Sequence, residues 1–330
     1  VSTGDQLASA LSTAQSNNQD DEIRITVGTR TRPNLATGFT RWTYTPGSND
    51  ADNDLSVSGG WTDAGCTSKT PGIGTILDGE LEGEVMDFSL PINFLGNLVI
   101  SDLRLVRGRT TLFAGVSVLR INVEGGSGTL LVDRVVARDS GATGDNGSAV
   151  RITMNGGNAT LRSLVVTNNS TFSGAALIAS AGVGSTVNIN NASVYANNDT
   201  QANAAGPVGG MSIFGAGTVT INNSLLFANT SSNASDLQMQ ANFGALANNH
   251  IGNLRGTPAS NASMSTGNPQ IVMVDGLPVP QATSPLRDTG LGFIPGGSSA
   301  QDVRGLPRVQ GVRIDRGAVE FDELHADGFE

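Results

Sequence analysis

A strand pattern broken once by a polar pair recurs through the middle of this chain, and that recurrence limits the fold more than any other feature. Residues Gly217 to Asn229 read Gly-Thr-Val-Thr-Ile-Asn-Asn-Ser-Leu-Leu-Phe-Ala-Asn. Val219 and Ile221 alternate with polar residues, Asn222-Asn223 interrupt, and Ser224 and Leu226 resume the alternation. Period-2 alternation marks a strand with one buried face, and the polar pair is where such a strand bends and starts another. The pattern is repeated at Val187, Ile189, Asn190-Asn191, Ala192, Val194 and at Ala159, Leu161, Arg162-Ser163, Leu164, Val166. It is repeated again at Leu98, Ile100, Ser101-Asp102, Leu103, Leu105. A weaker copy reads Thr129, Leu131, Val132-Asp133, Arg134, Val136, with Arg134 out of place for an inward position. The residues before the bend, Ile100, Leu131, Leu161, Ile189 and Ile221, are separated by steps of 31, 30, 28 and 32. A repeat of that length with strand periodicity throughout indicates a solenoid, in which no single turn buries its face alone.

A third strand per turn lies between the bent pairs: Val116 and Val118, Val150 and Ile152, Leu177, Met211 and Ile213, Leu237 and Met239. Three strands in about 30 residues predict an all-β fold, a single right-handed parallel β-helix with coils about 4.8 Å apart. Asn169, Asn197 and Asn229 fall at the same corner of successive turns, the arrangement of an asparagine ladder.

The ends carry different signals. Thr3-Gly-Asp-Gln6 reads as a capping box, and Leu7, Leu11 and Ala14 share one helical face. Residues 1–22 are therefore expected to hold a helix that plugs the open edge of the stack. The solenoid is expected over 23–253, with a loop insertion at about 30–53. Within the segment 254–320, residues 268–320 hold six Pro (Pro269, Pro278, Pro280, Pro285, Pro295 and Pro307) and cannot supply central strands. The segment is expected to form an irregular cap over the C-terminal end, followed by a tail at 321–330. The chain begins at Val1 rather than Met, from which removal of a signal peptide is expected.

Ser284-Pro-Leu-Arg-Asp-Thr-Gly290, Asp302-Val-Arg-Gly305 with Arg308, and Asp315-Arg-Gly-Ala-Val-Glu320 resemble the closing signature of choice-of-anchor Q proteins. Ser58-Gly-Gly-Trp61 with Thr75-Ile-Leu-Asp-Gly79 resembles the early turns of that group. The resemblance spans nearly the whole chain. It implies a secreted bacterial parallel β-helix at the outer cell surface or outside the cell, and it carries no common activity.

Candidate chemistry is sparse. Asp50, Asp52 and Asp54 have the spacing of the first ligands of an EF-hand, and calcium is the cation they would take. The match fails where Leu55 replaces Gly and Trp61 replaces the closing Glu. Phe39, Trp42, Tyr44 and Trp61 are candidates for a sugar-stacking or protein-contact platform, set against packing onto the first turns. Residues 102–162 carry interleaved charges, among them Asp102, Arg104, Arg120, Asp133, Arg134, Arg151 and Arg162. On a stacked surface such charges read as solvated ion pairs. His250 and His325 are far apart, and no phosphate loop is present. A net charge of -10 argues against nucleic acid, and no run is long enough to span a bilayer. Cys66 is alone, which excludes a disulfide framework.

Two readings follow. The first is a non-catalytic exported β-helix for surface contact, matrix attachment or self-assembly, with a polysaccharide, a cell-surface component or further copies of the chain as partner. The second is a carbohydrate-active enzyme, a polysaccharide lyase or glycoside hydrolase. A carboxylate pair with an Arg in one groove favours the enzyme; a flat body lined by Asn, Thr and Ser favours contact.

Overall fold

The computed structural model describes residues 1–32, 41–47, 50–70, 72, 74–201, 208–232, 236–239 and 244–322. Among them the chain winds as a parallel β-helix with two broad faces and a narrow corner sheet. The first face runs through nine parallel strands, from Asp21–Thr26 through Asn97–Val106, Thr129–Arg138 and Asn158–Thr167 to Ser260–Ala262. The second face runs through eight, from Trp42–Tyr44 through Met86–Leu90, Val116–Val123 and Ser148–Met154 to Leu254–Arg255. Four two-residue strands, Arg109–Thr110, Gly141–Ala142, Ser170–Thr171 and Asn198–Asp199, make the corner.

The inward residues stack in register. Val57, Ile100, Val132, Leu161, Ile189, Ile221 and Leu246 form one line along the first face. All seven are buried. The expected stack of Ile100, Leu161, Ile189 and Ile221 is therefore present, but Leu131 is not part of it. Val132 pairs with both Ile100 and Leu161, so Leu131 points outward. A one-residue slip exchanges the faces of a strand, and the slip came from reading Arg134 as an inward residue. Arg134 instead occupies the bend, at φ 53°.

The bends explain the polar pairs. One residue at each bend takes a left-handed conformation: Asp102 (57°), Arg134 (53°), Ser163 (52°), Asn191 (49°), Asn223 (50°) and Asn248 (57°). That region is costly for most L-residues and least so for Asn and Asp. The ladder forms at the other corner: Asn169 Nδ2 donates to Asn197 Oδ1 at 3.0 Å, and Asn197 Nδ2 donates to Asn229 Oδ1 at 2.9 Å. On the second face the inward partners are Leu119, Ile121 and Val123 over Val150, Ile152 and Met154, with a register shift before Val150. Val116 and Val118 are buried ahead of that shift.

The N-terminal helix, Gly4–Ala14, closes one end. Thr3 Oγ1 accepts from the Gln6 N–H at 3.2 Å, while Gln6 Oε1 accepts from Ser2 N at 2.8 Å. Leu7 and Leu11 are fully buried against the first turns.

The C-terminal segment does not cover the other end; it returns along the side. Asp275 bonds Arg104, Ser299 Oγ accepts from Arg134, and Pro295 and Gly297 carbonyls accept from Asn190 Nδ2. Leu291 N donates to Asn223 Oδ1, and the Thr289 carbonyl accepts from Asn248 Nδ2. Residues 289–299 therefore cross the turns of Asn248, Asn223, Asn190 and Arg134 in one pass at their bends. The segment acts as a strap because each bend offers an Asn side chain or a charged pair that needs a partner once water is excluded. The last rung, Ser260–Ala262, is left exposed, and Asn261 pairs with Leu246 where the inward line would otherwise continue.

The closing motif is the buckle. Asp315 accepts from the N–H groups of Asp288 (2.7 Å) and Phe321 (2.6 Å), and its own N–H donates to Glu320 Oε2. Arg316 donates to Asn248 Oδ1 and Ser265 Oγ. Gly317, at φ 100°, lies where a Cβ would meet Ser193 Oγ at 2.9 Å, so glycine is needed there. Ala318 N donates to Ser193 Oγ, and Glu320 meets Arg308 at 3.0 Å with both side chains buried. Asp302 accepts from Arg304 N, Leu306 N and Glu320 N. Asp288 accepts from Val312 N and Arg313 N.

Candidate functional site

Two of the aromatic candidates, Trp42 and Tyr44, are buried and present no surface platform. Trp42 and Tyr44 lie in the first strand of the second face, inside the solenoid rather than on a loop over it. Trp42 is fully buried with Nε1 donating to the Gly4 carbonyl at 2.9 Å. Tyr44 packs beside Phe88, and burial raises its hydroxyl to about 12. Trp61 is half-buried between Arg24 and Lys69, whose charges lie 4.4 and 5.6 Å from its ring. Phe39 lies outside the described residues, as do Leu324, His325 and Phe329 of the tail. The strand was hidden in sequence because residues 30–53 contain only one short alternating triplet.

The acidic triplet is divided. Asp50 is buried and accepts from the Asn18 N–H at 2.6 Å. Asp54 accepts from Asn97 N and Nδ2 at 2.8 and 2.9 Å, and Asp52 is exposed. Asp50 and Asp52 line a cleft of about 740 Å³ with Asn18, Asn93 and Leu95. Among the described residues no three groups capable of binding a metal converge.

The charges of the first face are paired and covered. Asp102 is fully buried between Lys69 (2.7 Å) and Arg134 (2.7 Å). Burial pushes its carboxyl up, but the hydrogen bonds from Arg134 and Lys69 overcome that and hold it below the usual range. Asp133 meets Arg134 at 2.5 Å and Arg162 at 3.1 Å, under Ser299 of the strap. Beyond the bend the outward row is Arg104, Val136, Val165, Ser193, Leu225 and His250, and every member is buried. Leu277, Val303, Ala318 and Val319 of the strap pack on Val136 and Val165.

The second face is different. One outward row reads Asp87, Arg120, Arg151, Ile178, Ser212 and Gln238. The next reads Ser89, Asn122, Thr153 and Ser180, and ends in the exposed Phe214. Arg120, Asn122, Arg151 and Thr153 are half-buried by their neighbours in the stack, and among the described residues none of the strap bonds them. At one end, Glu84 and Asp87 converge on two guanidiniums. Arg41 contacts Glu84 and lies 3.2 Å from Asp87, while Arg120 lies 3.7 and 3.4 Å from the same carboxylates. Burial raises the Asp87 carboxyl, with Glu84 reinforcing it and Arg41 and Arg120 opposing. Midway along the row Ile178 packs with Ala175 and Val208.

Arg120 and Arg151 were visible in sequence as members of a charge run, but their juxtaposition was not. Their separation of 31 residues is close to one turn, and that is the signal that could have found them. Glu84, Asp87 and Arg41 precede the clean repeat and gave no comparable signal. No family model, no curated protein and no solved structure matches the chain.

Proposed function

We propose that the chain is an exported, non-catalytic β-helix protein of the choice-of-anchor Q kind, making contact with a polysaccharide or another cell-surface component through its second face. The observation that carries the reading is the contrast between the faces: the strap covers the bent side of the first, whereas Ser89, Asn122, Thr153 and Ser180 stand in register on the second. This stretch of hydroxyls and an amide, repeating about every 4.8 Å up to Phe214, offers hydrogen bonds at a spacing suited to an extended polymer. Export rests on the resemblance of the strap motifs. Assembly through the terminal rung is less favoured, because Asn261 replaces an apolar residue in the inward line and blunts that edge.

The test is retention of the intact chain in gels cast with neutral and acidic polysaccharides, with release of sugar ends measured in parallel. Retention without release is expected; no retention by any polymer overturns the reading. The enzyme reading keeps one observation in its favour, the convergence of Glu84 and Asp87 beside Arg41 and Arg120. General acid-base chemistry needs carboxylates free to exchange protons with substrate, and both of these are engaged by arginine. A rise in unsaturated-uronate absorbance that is lost in Asp87→Asn would establish the enzyme instead.

A further inference from the structure

The second face carries an electrostatic arrangement that its own residues leave incomplete. Arg120 and Arg151 are direct partners on adjacent parallel strands, both outward. Like charges placed opposite one another across strands are destabilising. Arg120 has carboxylates on its far side, at 3.4 and 3.7 Å, but Arg41 holds them more closely. Arg151 has none: among the described residues no carboxylate lies within ion-pair distance of it. Its hydrogen bond is to the Asn146 carbonyl at 2.6 Å, and its Nε is buried with no acceptor. Burial, with Arg120 adding to it, pulls the Arg151 guanidinium below its ordinary pKa, as expected of a cation lacking a counter-ion. Three guanidiniums thus face two carboxylates.

We propose that Arg120 and Arg151 form an anion-binding step, and that its ligand is the carboxylate of an acidic sugar in a polysaccharide lying along the rungs. The assignment rests on the contact reading of this face and names its ligand. Guanidinium matches carboxylate geometry through paired N–H donors. Two residues further along each strand, Asn122 and Thr153 are again direct partners and supply an amide and a hydroxyl to the hydroxyls of the same sugar. The net charge of -10 does not oppose this at short range. At physiological ionic strength fields are screened over about 8 Å, so the nearby arginines outweigh distant carboxylates.

The experiment uses the intact chain with three probes: polygalacturonate, its neutral methyl ester, and the galacturonate monomer. Polygalacturonate is expected to bind, with affinity falling as salt rises; the ester is expected to lose at least tenfold, and the monomer to bind more weakly than the polymer. Arg151→Gln is expected to weaken polygalacturonate binding at least tenfold, and Arg151→Lys to retain part of it. Arg109→Gln, an exposed arginine on the corner sheet, should bind as the parent does. Urea unfolding of each variant separates lost binding from lost folding. Binding of acid and ester with equal affinity, or an Arg151→Gln variant that is folded and unaffected, overturns the anion step while leaving polysaccharide contact standing. Failure to bind any neutral or acidic polymer overturns both.

Discussion

Beyond its bend the first face turns Arg104, Val136, Val165, Ser193, Leu225 and His250 outward, whereas the second turns out Asp87, Arg120, Arg151, Ile178, Ser212 and Gln238. Both rows come from parallel strands of the same solenoid, yet every member of one is buried, whereas Arg120, Arg151, Ser212 and Gln238 of the other stay half-buried. The first row has an apolar centre, and two valines stacked one rung apart need a cover to remove them from water. The strap provides it with Leu277, Val303, Ala318 and Val319. The second row is polar and charged where it is open, and becomes apolar at Ile178, where Val208 packs over it. Outward polarity therefore decides which surface the chain keeps for itself and which it leaves for partners.

The largest expected break in that contrast comes from placing one charge on each face. Val165→Asp puts a carboxylate beneath the strap, away from water, and should destabilise by about 3 kcal/mol or more. Thr153→Asp places the same group on the open face and should cost under about 0.5 kcal/mol. Urea denaturation of the two variants checks the difference, and equal costs would mean that the strap does not seal the first face.

A smaller loss is expected at the buckle. Asp315→Ala leaves the N–H groups of Asp288 and Phe321 without their acceptor, a cost of about 2–3 kcal/mol. An unchanged unfolding midpoint would remove Asp315 from its holding role. Between the faces, Asn197→Ala cuts the ladder, removing the bond to Asn229 Oδ1 and the acceptor for Asn169. About 1–2 kcal/mol is expected from a buried side chain with these partners, read from the same titration.

The pH dependence is the finest discriminator. Burial raises the Glu320 carboxyl from 4.5 to about 8, with Arg308 opposing it and Asp315 adding to it. A folded pKa above the unfolded one gives a stability contribution fully present below about 4.5 and lost as pH rises through about 8. Hydrogen exchange of strap amides such as Ala318 should therefore lose protection from pH 5 to pH 8, after correction for the intrinsic rate, relative to amides of Ser148–Met154. Glu320→Gln should flatten the difference; an identical slope in the parent for both segments would remove Glu320 from control of the strap.

Much of this could be read from particular residues. Ile100, Leu161, Ile189 and Ile221 declared their shared line because a strand face repeats every second residue and the turns repeat every 28–32. Asn169, Asn197 and Asn229 declared their ladder for the same reason. Leu131 was misplaced because Leu131 and Val132 are both apolar, and only pairing with Ile100 settles which faces inward. Trp42 and Tyr44 were obscured by an irregular approach to their strand.

Local alternation and the polar pairs thus determined by themselves that the chain coils into a solenoid, where it bends and which residues fill it, because those preferences act within a single turn. Where the C-terminal segment lies was decided only by tertiary structure. Its prolines and charges say that it cannot be a central strand, but not whether it covers an end or a side. That choice depends on Val136, Val165 and the asparagines of the bends presenting one continuous surface. The pairing of Arg120 with Arg151 is of the same kind: two cations 31 residues apart become neighbours only when the coil closes in register.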